Sequence, residues 1–350
     1  MVKRAAFAVP GSLETPTGGY GYDRRIIAEL ERLGWPIELV DIGEGFPWPS
    51  EATRSAARAR LLQVRTGWPI VIDGLALGVL PDLAAELAPR NPLLALVHHP
   101  LALEWGLSAG EAERLRHSER AALASAHGVV VTSAATARLI VADYDVPADR
   151  VSVARPGTDP APRARGSEHG MLHLLSVGAI VPRKGFDVLV AALATLAGVQ
   201  WRLSIAGDLT RDAAAAEKLR SEIARHGLTK RIELLGAVPS ERLATLYDTA
   251  DLFVLASHFE GYGMAYAEAL AHGLPVIGTT AGAIPETVPR EAGLLVAPGD
   301  TAALADALHR AITDTRLRRG LAEAALAAAR QLPTWPQSGA IFARALEKLA

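Results

Sequence analysis

The strongest constraint on this chain is a twice-repeated alternation of short apolar runs with longer segments of helical period. Runs at Ala5–Val9, Ile37–Val40, Ile70–Ile72, Leu93–Val97 and Val129–Val131 alternate with segments such as Tyr22–Leu33, Glu111–Ala126 and Ala134–Ala142. Buried strands alternating with helices imply parallel βαβ units. At Arg155-Pro156-Gly157-Thr158-Asp159-Pro160 the alternation stops, and a polar, breaker-rich stretch with the character of an interdomain linker and hinge runs to about residue 170. A second series follows, with strands near Leu172–Val177, Arg202–Ala206, Ile232–Leu235, Leu252–Leu255, Pro275–Ile277 and Leu294–Val296. Helices are expected between them near Gly185–Leu196, Ala213–Arg225, Ser240–Asp248, Met264–Ala271 and Ala302–Ile312. The expected fold is α/β, with doubly wound lobes over residues 1–160 and 161–330 and a tail, 331–350, in which Trp335-Pro336 opens an amphipathic helix. A length of 350 residues suits two such domains.

Composition narrows the chemistry. Lys and Arg number 36 against 38 Asp and Glu, a formal charge of −2, so no global field points to nucleic acid and none is expected as a partner. The absence of cysteine excludes disulfides, a thiol nucleophile and Cys-ligated zinc or iron–sulfur clusters. The apolar stretch behind Lys3 and Arg4 ends at Pro10, far short of a signal-peptide core, and nowhere do about 18 consecutive apolar residues occur. A cytoplasmic location is expected. Arg54, Arg58, Arg60 and Arg65 in the Glu51–Arg65 segment could give weak peripheral contact with anionic lipid at the inner membrane face, although an ordinary solvated helix is the plainer reading.

In parallel sheets ligands bind beyond the carboxyl ends of the strands. After the first strand, a long loop ends in Thr17-Gly18-Gly19-Tyr20-Gly21 and enters a helix, where glycines let backbone N–H groups approach an anion. After Leu93–Val97 come His98-His99-Pro100, and an imidazole at a strand end can hydrogen-bond a substrate hydroxyl or exchange a proton; the sequence does not say which of the two does so. Arg183-Lys184-Gly185 opens a helix in the second half, an unfavourable place for cations unless they face an anion or carboxylates. An isolated pair of this kind is more often a solvated surface feature.

The most informative segment runs from Leu252 to Ala271. A buried strand exits into a loop carrying Glu260, Gly261, Tyr262 and Gly263, and the helix that follows carries Glu268. The N–H groups of Gly263, Met264 and Ala265 at that helix start suit a diphosphate. Glu268, farther along, should meet something neutral, and the vicinal hydroxyls of a ribose fit. Its apolar neighbours Ala267, Ala269, Leu270 and Ala271 make a merely solvated carboxylate there less comfortable.

With these residues in view the chain resembles the retaining glycosyltransferases of family 4 (group 1), whose GT-B fold has two facing Rossmann-like lobes with a cleft between them. The resemblance runs through nearly the whole chain: Thr17-Gly18-Gly19, His98, Arg155 to Asp159, Val177-Gly178, Pro182 to Gly185, Ile205 to Asp208, Leu235 to Pro239, Tyr247 to Asp251, Gly273 to Ile277 and Gly282 to Glu286. The pair Glu260 and Glu268 in its Gly-Tyr-Gly-Met context is its most specific part. The resemblance implies a nucleotide-diphosphate sugar (UDP-, GDP- or ADP-linked) held mainly by the C-terminal lobe along Gly261 to Ala265. The base would pack near Gly207, Asp208 and Val238, with the ribose on Glu268. The diphosphate would meet Arg183, Lys184, the Gly263–Ala265 amides and the Gly18-Gly19 loop. Glu260 would bind donor-sugar hydroxyls, and His98 the far side of the sugar. The last helix would cross back to the N-terminal lobe. Where the family often has Gly-Arg this chain has Gly178-Ala179, which leaves more of the diphosphate to Arg183.

The implied reaction moves a sugar to an acceptor hydroxyl with retention, the leaving phosphate taking the hydroxyl's proton, so no enzymic nucleophile is expected. Arg183 and Lys184 would stabilise charge on the departing nucleotide. No Asp-x-Asp stands in a suitable loop, so no metal and no further cofactor is expected. The acceptor, a glycan, glycolipid or small molecule, is not legible. Two rivals are a non-catalytic sugar-nucleotide binder and a nicotinamide-dependent oxidoreductase with Asp41 as the acid after its second strand. The latter lacks the Gly-x-Gly-x-x-Gly it needs.

Overall fold

A computed structural model describes residues 3–167 and 170–349; positions 168 and 169 of the expected linker and position 350 of the expected tail lie outside the described residues. The chain divides into two compact units. One comprises the residues up to Gly157 together with those from Pro333 onward, and the other is Thr158–Leu332.

In the first unit the order is β1 (Ala5–Val9), α1 (Gly18–Arg32), β2 (Ile37–Asp41), α2 (Glu51–Gln63), β3 (Ile70–Asp73), α3 (Gly74–Leu77), α4 (Pro81–Leu87), β4 (Leu93–Val97), α5 (Ala109–Ala124), β5 (Gly128–Val131), α6 (Ala134–Asp143) and β6 (Val151–Val153). The six strands form a parallel sheet in the order β2-β1-β3-β4-β5-β6. β1, β3, β4 and β5 are buried along their whole lengths, as sequences that are apolar apart from Asp73 at the end of β3 require in a sheet covered on both faces.

The second unit runs β7 (Leu172–Val177), α7 (Phe186–Ala194), β8 (Trp201–Ala206), α8 (Ala213–Arg225), β9 (Ile232–Gly236), α9 (Ser240–Asp248), β10 (Leu252–Val254), α10 (Met264–Ala271), β11 (Val276–Thr279), α11 (Ile284–Thr287), β12 (Gly293–Val296), α12 (Thr301–Thr313) and α13 (Thr315–Ala329). Its sheet is again six-stranded and parallel, in the order β12-β11-β10-β7-β8-β9. The order reverses between β10 and β8, either side of β7, so the loops after β7, β8 and β10 crowd around one switch point.

The final helix, α14 (Trp335–Glu347), packs on α1 within the first unit. The approach is close: a Cβ on Gly339 would lie 2.4 Å from Glu29 Cβ, and one on Gly157 would lie 2.3 Å from the Trp335 nitrogen. Phe342 stacks on Phe7 and Trp335 tilts against Tyr22.

Three differences from the sequence reading have physical causes. β6 is a half-buried edge strand of three residues with a serine at its centre, and it carries too little apolar signal to stand out from the breaker-rich stretch after it. α13 buries only Leu321 and Ala325 fully, has a glycine inside it and is made largely of alanine and arginine, so no bulky apolar run marks it. The stretch taken as a linker is fastened to the second unit over its later part: Ala164 N–H donates to the His272 carbonyl, Arg165 and Gly166 N–H to the Asp248 carbonyl, and Ser167 N–H to Asp251.

Candidate functional site

In the second unit, three loops at the switch point are held together by backbone bonds and by glycines that leave no room for a side chain. Gly178 N–H donates to the Ala206 carbonyl, Ile180 N–H to Asp208 and Gly207 N–H to Gly236. A Cβ on Gly207 would lie 1.8 Å from the Gly178 carbonyl oxygen. Gly185 has φ +63°, and a Cβ there would lie 2.1 Å from the Ala256 carbonyl oxygen. Only glycine brings the Arg183-Lys184 turn this near the end of β10.

That approach gathers the charged residues. Lys184 Nζ is 2.6 Å from Glu260 Oε1 and Arg183 Nη1 is 3.4 Å from Glu260 Oε2. Arg183 also donates to the Phe259 carbonyl at 2.8 Å, and Ser257 donates to Glu260 Oε1 at 2.6 Å. The stem of Lys184 lies across Gly178, whose added Cβ would sit 3.2 Å from Lys184 Cε. Glu260 is buried at 6% exposure. Burial alone would push its carboxyl up, but the charges of Lys184 and then Arg183 outweigh burial and hold it at about 2. Two cations thus converge on one carboxylate.

Glu260 is followed by Gly261 and Tyr262, and then by Gly263, at φ +89°, which starts α10 with no side chain capping its first turn. Met264 and Ala265 therefore open a helix whose N–H groups have not been taken by a capping hydroxyl or carboxylate. The Glu260 backbone is fixed in turn by Gly282, at φ +58°, where a Cβ would meet the Glu260 carbonyl at 2.2 Å. One turn into α10, Glu268 Oε2 accepts a hydrogen bond from Tyr247 of α9 at 2.9 Å. Burial raises the Glu268 carboxyl, Tyr247 opposes that shift and Asp159 adds to it. Tyr247 stacks face to face on His272, with ring centres 4.9 Å apart. Asp208 caps its own loop by accepting from Thr210 N–H and Oγ1, both at 2.7 Å, and Val238 is half-buried after β9.

In the first unit, His98 and His99 part company. His99 Nε2 lies 3.2 Å from Glu104. His98 Nε2 lies 3.2 Å from Asp23 Oδ1 and 3.8 Å from Asp73 Oδ2, with the ring of Tyr22 edge-on at 5.4 Å. Gly19 lies alongside, its added Cβ 3.6 Å from the His98 ring. Burial would lower the His98 imidazole, but the charge of Asp23 and its hydrogen bond, with Asp73 behind them, raise it. Burial first, and then the charge of Asp23, push the Asp73 carboxyl up to about 7. Among the described residues, Asp23, Asp73 and His98 are the group whose ligand atoms, all within 4.8 Å of one another, have a spacing a cation could bridge. The same atoms form a hydrogen-bonded chain without one. The Gly18-Gly19 loop is held in place: Thr17 accepts from Tyr20 N–H at 3.3 Å, the Tyr20 hydroxyl donates to the Pro10 carbonyl and Arg24 to that of Leu13.

The arginines of the Glu51–Arg65 segment all have partners inside the first unit. Arg54 donates to the Val79 carbonyl, Arg58 pairs with Glu86, Arg60 reaches Asp41 and Arg65 lies over the Trp68 ring. Among the described residues no helix is long and apolar enough to cross a membrane.

Two sequence profiles match the chain: "Glycosyl transferases group 1" over residues 159–327 and "Glycosyltransferase Family 4" over residues 24–162. The chain belongs to the group 1, family 4 glycosyltransferases. A protein of this kind from Nocardia farcinica, D-inositol 3-phosphate glycosyltransferase, is 36% identical over 251 residues, which is 66% of this chain and 56% of that protein. The chain thus spans little more than half the length of such a relative. Sucrose-phosphate synthase from Thermosynechococcus elongatus has the same fold, with a TM-score of 0.85 at 21% identity over 99% of both chains. Anabaena Alr3699/HepE, solved in complex with UDP-glucose, superposes with a TM-score of 0.78 at 20% identity over 99% of this chain and 100% of that one. The two parallel sheets are accordingly those of the two-lobed GT-B glycosyltransferase fold.

The sequence names His98, Arg183, Lys184 and Glu260 from loops after strands, Glu268 from the helix that follows and Tyr247 only within the Tyr247-to-Asp251 stretch, but neither Asp23 nor Asp73. Asp73 ends β3 and was open to the same rule. Asp23 falls with Ile26 and Leu30 on the buried stripe of α1, a polar residue where the period calls for an apolar one.

Proposed function

We propose that the chain transfers a hexosyl group from a nucleotide-diphosphate sugar to an acceptor hydroxyl, with retention and without a required metal. The observation that carries this reading is the convergence of Arg183 and Lys184 on Glu260, three residues ahead of the uncapped start of α10. A diphosphate meets cations and free helix N–H groups there, and stabilising its charge as the glycosidic C–O bond breaks is the main catalytic need. Glu268, fixed by Tyr247, offers its remaining lone pairs to ribose hydroxyls, and the Gly207, Asp208 and Val238 loops flank the base. His98 is the proposed contact to a sugar hydroxyl. The co-complex of Anabaena Alr3699/HepE with UDP-glucose makes a UDP-sugar the first donor to try.

Glu260 suits sugar binding better than attack or general base catalysis. A carboxyl held at about 2 is a weak base, and its oxygens are already engaged by Lys184, Arg183 and Ser257. That supports a retaining route in which the leaving phosphate accepts the acceptor's proton. The test is incubation with UDP-, GDP- and ADP-sugars in EDTA, with and without an acceptor panel headed by D-inositol 3-phosphate, the compound in the Nocardia farcinica relative's name. Nucleoside diphosphate release that depends on acceptor, with the product's anomeric configuration unchanged by NMR, is the expected result. Release without acceptor, an inverted product or a need for added metal would each refute the corresponding part. The arginines of α2 enter no step, and reversing Arg54, Arg58 and Arg65 to Glu should leave sedimentation with anionic liposomes unchanged.

A further inference from the structure

Beneath the strand-end histidine of the first unit lies a buried carboxylate pair that the nucleotide-sugar reading does not use. His98 follows β4, Asp73 ends β3 and Asp23 sits early in α1, so three separate elements deliver them to one point. Nε2 of His98 is engaged by Asp23 Oδ1 at 3.2 Å. Asp73 Oδ1 is committed elsewhere, accepting from Leu75 N–H at 2.7 Å as the cap of α3. Asp23 is fully buried, and its Oδ2 meets no N–H or protein hydroxyl. An orphaned acceptor out of water is costly, and two ionised carboxylates in contact repel. One proton on Asp73 removes the repulsion and supplies the donor that Asp23 lacks. Asp23 Oδ1 is then the acceptor for Nε2–H, whereas Nδ1 of His98 has no partner among the described residues.

We propose that Asp23 is a positioning residue that fixes His98 in the Nε2–H tautomer, so that Nδ1 is the ring nitrogen presented to a substrate hydroxyl. The tautomer follows from the packing, and its use on substrate rests on the reading of His98 as a sugar contact. When neutral, Nδ1 accepts a hydrogen bond from the hydroxyl; when protonated, it donates one.

Long-range proton–nitrogen NMR on 15N-labelled full-length protein reads the tautomer directly, on the alkaline side of the imidazole titration, with His98→Gln identifying the resonances. The native protein should show a pyrrole-type Nε2 and a pyridine-type Nδ1, unchanged by EDTA. Asp73→Asn keeps a donor toward Asp23 and should preserve that pattern. Asp23→Asn presents an amide that can donate to Nε2 and should shift the population toward Nδ1–H. In turnover, Asp23→Asn should lower kcat/KM about tenfold, the scale of one hydrogen bond, with nucleotide affinity unchanged, and Asp73→Asn should lower it far less. A native Nδ1–H tautomer, an Asp23→Asn protein with native resonances, or resonances that move when EDTA removes a bound cation would each overturn the proposal. If Asp23→Asn does not fold, the native spectrum still decides. A protein that transfers no sugar at all would sink the glycosyltransferase reading while the spectra still judged the tautomer.

Discussion

At the residue scale, Glu260 and its two cations tie stability to ligand binding. The folded carboxyl sits at about 2 against an ordinary 4.5, so Glu260 favours the fold above the unfolded value and loses that contribution as pH falls from about 4.5 toward 2. The difference corresponds to roughly 3 kcal/mol at neutral pH. Glu260→Gln should be markedly less stable than the native protein in urea at neutral pH, and the gap should close on acidification through that window. A gap that stayed constant with pH would mean the carboxylate is not held ionised by Lys184 and Arg183. Lys184→Ala acts on the ligand as well. Losing one charge-assisted hydrogen bond, worth roughly 1.5–3 kcal/mol, should weaken nucleoside diphosphate binding about 10- to 150-fold by calorimetry. Undiminished affinity would remove Lys184 from the diphosphate site.

At the scale of elements, the turn before α7 shows how backbone shape places those side chains. Gly185 at φ +63° lies against the Ala256 backbone, whereas Gly227 at φ +69° has nothing within 4 Å of an added Cβ. Both alanine substitutions incur the left-handed backbone cost of about 1–3 kcal/mol, but only Gly185→Ala must also push β10's exit away from Arg183-Lys184. Gly185→Ala should therefore lose more stability than Gly227→Ala and lose nucleotide affinity as well; equal losses in stability with affinity intact would refute the packing argument. Most of this architecture was legible because buried parallel strands are unbroken apolar runs, so the loops after them could be located, and with them His98, Lys184 and Glu260. β6 and α13 were not legible, since β6 is three half-buried residues around a serine and α13 is largely alanine and arginine with two fully buried positions. The partners of the site residues were harder still. Which carboxylates lie under His98, and which tyrosine holds Glu268, depends on the pairing of β3 with β4 and on α9 meeting α10. No local spacing encodes those contacts.

At the scale of the whole molecule, the first unit is discontinuous: the chain leaves it at Gly157 and returns at Pro333. The returning segment is a structural part of that unit. Trp335, Phe342 and Leu346 are 5%, 0% and 0% exposed, and burial of each stabilises by roughly 1.5–3 kcal/mol, or about 5–9 together. That is comparable with the entire stability of a typical domain. Tyr22 donates to the Ala154 carbonyl at 2.8 Å and Ser338 to that of Arg155, so the end of the first pass through the unit is also held by α1 and α14. Deleting residues 335–350 should therefore open the first unit to proteolysis while Thr158–Leu332 keeps its own core and its Arg183, Lys184, Glu260 and Glu268 cluster. Nucleoside diphosphate binding should survive the deletion and sugar transfer should be lost, because His98 and its carboxylates belong to the unit that unfolds. Calorimetry with nucleotide, limited proteolysis and an acceptor-dependent transfer assay on one truncated protein separate the two functions. Full transfer by that protein would show that α14 is dispensable to the unit; loss of nucleotide binding together with transfer would show that Thr158–Leu332 does not stand without it.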